Sequence, residues 1–479
     1  MQYQSGFGGH MSSEALPGAL PVGQNSPQVC PYGLYAEQLS GTAFTMPRHK
    51  NQFSWLYRIK PSVVHSKYHA SPDQHVLDEF NTMQIEPNQL RWSPMEMPSS
   101  ETSVDFVEGL KLVCGSGCPS VKTGCAIYNY AFNKSMNNKA FFSSDGDFLI
   151  VPQMGALMIT TEMGKLAVAP REIVVIPRGI KFTVDMDSVE GGANTEGCRG
   201  YIVEIFEGHF ELPSLGPIGA NGLANPRDFQ SPVAWFEDVD HTVEPYVVVN
   251  KFQNKFFTFC MPHSPYNVVA WHGNYAPYKY DLRNFNTINT VSFDHIDPSI
   301  FTVLTCPSSE PGVAVIDFVI FPPRWMVATK TFRPPYYHRN CMSEYMGLIY
   351  GNYDAKAAAP ALAAGETKPK GGKTGFYPGG GSLHSCMTAH GPDATSFVKA
   401  SAVADLQPVY FDQGLAFMFE STYMFKIAPS ALQRFQDEQA AAGNDTVSPD
   451  YPQVQPNYAE CWQSLPKLFN GEIKPPLPW

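Results

Sequence analysis

Between Asp147 and Val184 the chain consists of short β-branched and aromatic runs, each closed by glycine or proline. Phe148–Val151 leads to a turn at Gly155. Then come Ala156–Thr161, a turn at Gly164, Leu166–Val168, Ile173–Ile176, Pro177-Arg178-Gly179 and Lys181–Val184. Runs recurring about every eight to ten residues, with turn residues between them, specify an antiparallel sandwich or barrel. Composition points the same way. Charged residues make up 16% and proline 42 of 479, where soluble proteins average about 25% and about 5%. With 13% aromatic residues, such a chain favours short strands and fixed loops over long solvent-facing helices.

The 43% of hydrophobic residues can fill a sizeable core. At roughly 100–200 residues per domain, the length allows two domains or one very large one. A second β-rich stretch, Thr287–Lys330, contains the strand candidates Phe301–Thr305 and Val313–Phe321, the latter interrupted only by Asp317. The expected fold is mainly β with a few short helices. An N-terminal β-sandwich or degenerate cupin-like domain (residues 1–285) precedes a C-terminal cupin-like, jelly-roll domain (286–479). Ala355–Thr374, rich in Ala, Gly, Lys and Pro, is expected to be a surface insertion, and Gln439–Gln455 is similar in character. Pro429–Ala442 is expected to be a helix, with proline in its first turn and Gly443 as its cap.

Several classes are excluded. A net charge of −11 does not suit a phosphate-backbone binder, so no nucleic acid is expected. No apolar run approaches the roughly 18–20 residues of a membrane span. Met1–His10 lacks the basic flank and apolar core of a secretory signal, so the ten cysteines are expected to be reduced thiols in a cytoplasmic protein. Cys114, Cys118 and Cys125 cluster, but no nearby Cys/His pair closes a tetrahedral zinc site. Glu172–Phe182 is similar to the second motif of the cupin barrel. Phe182 stands where metal-binding cupins carry a histidine, so the first domain is expected to be structural and metal-free.

The histidines concentrate the chemistry. The chain has 13, none after His390. His338 and Glu344 are six apart, as are His384 and His390. On a helix that spacing is roughly 240° of rotation; on extended chain it places both residues on one face. Prolines flanking His338 favour extended chain. A His-x5-Glu pair alone is commonly chance or a structural hydrogen bond. Two histidine-bearing segments in one β-domain can supply two imidazoles and a carboxylate, a set that suits Fe(II) and O2 but also catalytic zinc.

Longer strings add a resemblance. Gly6-Phe7-Gly8, Tyr35–Gly41, Leu215–Asp228, Trp271–Tyr275 and the two histidine segments together resemble the homogentisate dioxygenase family. The resemblance implies an Fe(II)-dependent, ring-cleaving enzyme of tyrosine and phenylalanine catabolism. It would convert homogentisate and O2 to maleylacetoacetate, as a homohexamer built as a dimer of trimers. It implies iron ligands at His338, Glu344 and His390 and an acid–base histidine at His295. It also implies substrate contacts at Tyr353 and His390, and a further active-site histidine, not a ligand, at His384. Arg333 and Arg339 are nearby cations for the substrate's acetate. Two alternatives stay open on the residues alone. One is a cupin-fold metal-dependent hydrolase or isomerase; the other is a non-catalytic scaffold.

Overall fold

The computed structural model describes residues 1–71, 79–187, 197–220, 223–327, 329–353, 355–356, 375–403, 407–432 and 453–473. The fold is mainly β, as composition and periodicity predict. The expected runs become strands Asp147–Met154, Ala156–Thr161, Gly164–Val168, Glu172–Ile176 and Phe182–Asp187, with turns at the glycines. They join sheets of nine, seven and four strands formed largely by the first 285 residues. Phe182 is buried and packs edge-on against Phe106 and Phe141, so its place in the motif is taken by apolar packing.

The second half contributes a six-stranded antiparallel sheet. Its order is Thr302–Pro307, Ala314–Phe321, Gly414–Ser421, Ser343–Gly351, Gly381–His384 and Leu90–Trp92. The last strand comes from the N-terminal half, and Lys426–Ile427 returns the exchange by pairing with Cys114 and Gly115. Sequence halves and sheets therefore do not coincide.

Strand alternation gives this sheet two faces. Tyr345, Phe417 and Phe419 point to the side that meets the nine-stranded sheet. Tyr345 donates to Asn129 Oδ1 at 3.1 Å, and Phe417 packs 4.8 Å from the Tyr201 ring. Gly347 lies on this side; a Cβ there would meet the Phe417 ring at 2.3 Å. The alternate residues, Glu344, Met346, Met418 and Glu420, face a cavity of about 430 Å³.

Two expectations need correction or restriction. Ala355 and Lys356 are buried, at 4% and 7% exposed, so a surface excursion cannot begin at 355. Small residues and lysine look solvated in a composition window, yet these two pack into the cavity wall. Residues 357–374 lie outside the described residues. Of the helix expected over Pro429–Ala442, Pro429–Leu432 forms a 3₁₀ turn, and residues 433–452 also lie outside them. No helix among the described residues is long and apolar enough to cross a membrane.

Candidate active site

His338 and His390 sit on separate connections that pair backbone to backbone. The peptide N–H of His338 donates to the His390 carbonyl at 3.0 Å, and the reverse bond is 3.1 Å. Each ring then turns back on its own chain. Nδ1 of His338 meets the Tyr336 carbonyl at 3.1 Å, and Nδ1 of His390 meets the Thr388 carbonyl at 2.9 Å. A carbonyl oxygen only accepts, so Nδ1 carries the hydrogen in both rings and Nε2 is presented inward. His390 Nε2 lies 3.0 Å from Glu344 Oε2, and His338 Nε2 lies 3.5 Å from Oε1. One ligand atom from each of the three residues lies within 4.8 Å of the others. The six-residue spacing thus brings His338 and Glu344 together, but by a turn into the strand Ser343–Gly351 and not along one extended face.

Glu344 is fixed by the sheet. It is in register with Glu420 on one side and His384 on the other, and Glu420 is in register with Asp317. Residues directly opposite share a face, so Asp317, Glu420, Glu344 and His384 form one polar row across four strands. Asn340 clamps the middle of it: its Nδ2 donates to Glu344 Oε1 at 2.9 Å and to Glu420 Oε1 at 2.7 Å. Burial raises the Glu344 pKa, but the His338 and His390 rings beside it outweigh that and hold the carboxyl well below the ordinary range. Glu420 goes the other way. Burial pushes it up to about 7 against the Asn340 hydrogen bond, with Glu344 and Asp317 adding repulsion.

His384 stacks on His390, with ring centroids 4.0 Å apart and planes 7° apart. Its Nε2 meets the Tyr458 hydroxyl at 2.8 Å. Burial, then the neighbouring His390 and Lys356, push its pKa well below the ordinary value. His295 lines the same cavity as the three converging residues. Its Nε2–H donates to the Phe332 carbonyl at 2.8 Å, which leaves Nδ1 as the basic nitrogen of the neutral ring. Tyr353 also lines the cavity, packed 5.6 Å from the Phe321 ring. Arg333 lines it too, with its guanidinium donating to the Gln407 carbonyl at 2.5 Å.

The donor set fits a divalent cation. Both imidazoles have their outer nitrogen satisfied by backbone, the carboxylate is ionised, and three ligands leave positions open. Asn340→Ala is expected to weaken metal binding about 10–100-fold, the usual worth of a hydrogen-bonding partner of a ligand, while the fold is kept. Metal titration of the variant measures this; unchanged affinity would mean that the amide only fills space.

By fold and site, this is a mainly β protein in which two imidazoles and one carboxylate converge as a set that could hold a single metal ion. Comparison with known families places it further. The homogentisate 1,2-dioxygenase N-terminal family matches residues 2–282, and its C-terminal counterpart matches 283–469. A Mus musculus homogentisate 1,2-dioxygenase is 53% identical over 480 residues, covering 99% of this chain and 98% of its own. Those of Homo sapiens and Caenorhabditis elegans are 52% and 54% identical, each covered over 98% of its length. The chain belongs to the homogentisate 1,2-dioxygenase family.

Four residues of the site were not expected from sequence: Asn340, Glu420, Lys356 and Tyr458. Glu420 alone carried a signal, as the one charge in the otherwise apolar run Leu415–Glu420. Asp317 carried the same signal, but its partner in the register cannot be read from sequence.

Proposed function

We infer that this chain opens the aromatic ring of homogentisate with O2, both oxygen atoms entering the product, maleylacetoacetate, in tyrosine and phenylalanine catabolism. The observation that carries the reading is identity of 52–54% to homogentisate 1,2-dioxygenases over nearly the whole of both chains. His338, Glu344 and His390 are proposed to hold Fe(II). Bound there, Fe(II) would supply a point where one phenolic oxygen of the substrate and O2 meet. The substrate's hydroxyls are para to one another, so only one can reach that point.

The remaining work falls to side chains. His295 Nδ1 takes the phenolic proton, a task suited to an imidazole near neutral pH. The Tyr353 hydroxyl donates to a substrate oxygen, and the His390 ring borders the bound substrate. His384, neutral and tied to the Tyr458 hydroxyl, holds the His390 ring in place by stacking on it. Met346, Met418 and Phe321 supply apolar wall. The cavity falls within the roughly 300–1,000 Å³ usual for small-molecule sites. The proposed assembly is a cytoplasmic homohexamer, a dimer of trimers. Exposed aromatic surface at Trp325 and Tyr410, 5.4 Å apart on paired strands, supports a covered face. The proposed division into 1–285 and 286–479 is supported by the junction of the two family matches.

The test is anaerobic loading with Fe(II), then oxygen uptake with and without homogentisate. Substrate-dependent uptake of about one O2 per homogentisate is expected, with zinc-loaded protein inert. Turnover by zinc-loaded protein without oxygen uptake would instead point to a hydrolase or isomerase.

A further inference from the structure

Lys356 is a buried amine with no carboxylate paired to it among the described residues. It lines the cavity and is 7% exposed. Its Nζ donates to Ser382 Oγ at 2.8 Å and lies 4.0 Å from Met346 Sδ. It stands 4.3 Å from the centre of the Phe376 ring and 5.8 Å from that of Tyr353. Among the described residues, no carboxylate is within ion-pair distance of it. Glu344 and Asp393 attract it only from further off, while Arg91 repels it. An ammonium carries three donors, and leaving one buried without an anion is costly. The other cations of the wall are differently placed. Arg324 is engaged by the Pro322 carbonyl, Arg333 by that of Gln407, and Arg339 is exposed.

The register locates the ammonium relative to the chemistry. Ser382 and Met346, which hold Nζ, face each other across two strands, and the next pair on the same face is His384 and Glu344. Two residues along a strand is about 6.6–6.8 Å. That step suits a small aromatic acid with its phenolic oxygen at the ligand trio and its arm, ortho to that oxygen, turned toward Lys356.

We propose that the Lys356 ammonium, with the Ser382 hydroxyl beside it, is the subsite for the carboxylate of the substrate's acetate arm. The proposal rests on the reading of homogentisate as substrate. Carboxylate binding supplies the missing counter-charge and fixes which ring carbon faces the metal centre. Burial pushes the Lys356 pKa well below its ordinary value in the empty site, and an arriving carboxylate opposes that shift.

The test compares homogentisate with its methyl ester, which has the same ring and no charge. Anaerobic calorimetry on Fe(II)-loaded protein measures the affinity of each. Wild type is expected to prefer the acid. Lys356→Met should weaken acid binding roughly 30-fold or more, the usual effect of removing one partner of a buried charge pair. Ester affinity and iron content should stay nearly unchanged. Lys356→Arg, which keeps the charge if Met is not tolerated in the fold, should retain the preference for acid over ester. Equal loss for acid and ester in Lys356→Met, or a preference surviving in it, overturns the subsite. Wild type that binds acid and ester alike also overturns it, while leaving homogentisate as substrate. Wild type that binds neither overturns the substrate reading and the subsite with it.

Discussion

Glu344→Ala is expected to leave the protein folded and nearly free of iron, with turnover of homogentisate lost. The carboxylate sits between the two imidazoles, and no other acid of the polar row bonds both of them. Glu420 is the nearest rival, but Asn340 holds it and its pKa near 7 leaves it partly protonated at neutral pH. The loss of metal affinity should exceed the roughly 10–100-fold expected for Asn340→Ala, because a ligand is removed and not merely its partner. Folding should survive, since the backbone pairs of Glu344 with Glu420 and His384 do not involve its carboxylate. Removing an ionised group from a buried position also removes a desolvation cost. His338→Ala and His390→Ala should lose iron as well. His390→Ala should cost some stability too, since it uncovers the face of His384 that the His390 ring now covers. Metal analysis, circular dichroism and oxygen uptake on the three variants measure these outcomes. Full iron occupancy in all three would remove the assignment.

The second large effect concerns His295. His295→Asn should keep normal iron content and homogentisate affinity, yet lose on the order of 10²–10⁴ in rate, the usual worth of a positioned acid–base group. His295 stands apart from the group of residues whose ligand atoms converge. Its Nε2–H is already committed to the Phe332 carbonyl, so the basic atom is Nδ1. Asparagine can keep a donor toward that carbonyl but cannot take a proton. If iron falls with activity, His295 props the site. If activity survives, another group moves the proton, and His384 is the next to test.

Much of the fold was legible because its signals are local. Gly155, Gly164 and Pro177 punctuate the strands from Asp147 to Asp187, and alternation within each strand follows from the pleat. The converging residues were legible in part. Spacing and resemblance singled out His338, Glu344 and His390, but the geometry that joins them is a backbone pair between distant segments. Asn340, Glu420 and Tyr458 escaped because their roles depend on register. Asn340 reaches Glu420 across 80 positions, and His384 reaches Tyr458 across 74. Lys356 was misread for the opposite reason. Its neighbours in sequence look like a solvated linker, while its neighbours in space are aromatic rings and a strand.

Anomalous scattering at the iron edge, from crystals of Fe(II)-loaded protein, tests the central claim most directly. The account predicts one strong peak per chain, within bonding distance of His338 Nε2, His390 Nε2 and the Glu344 carboxylate. A principal peak elsewhere, beside Phe182 or among Cys114, Cys118 and Cys125, would contradict it.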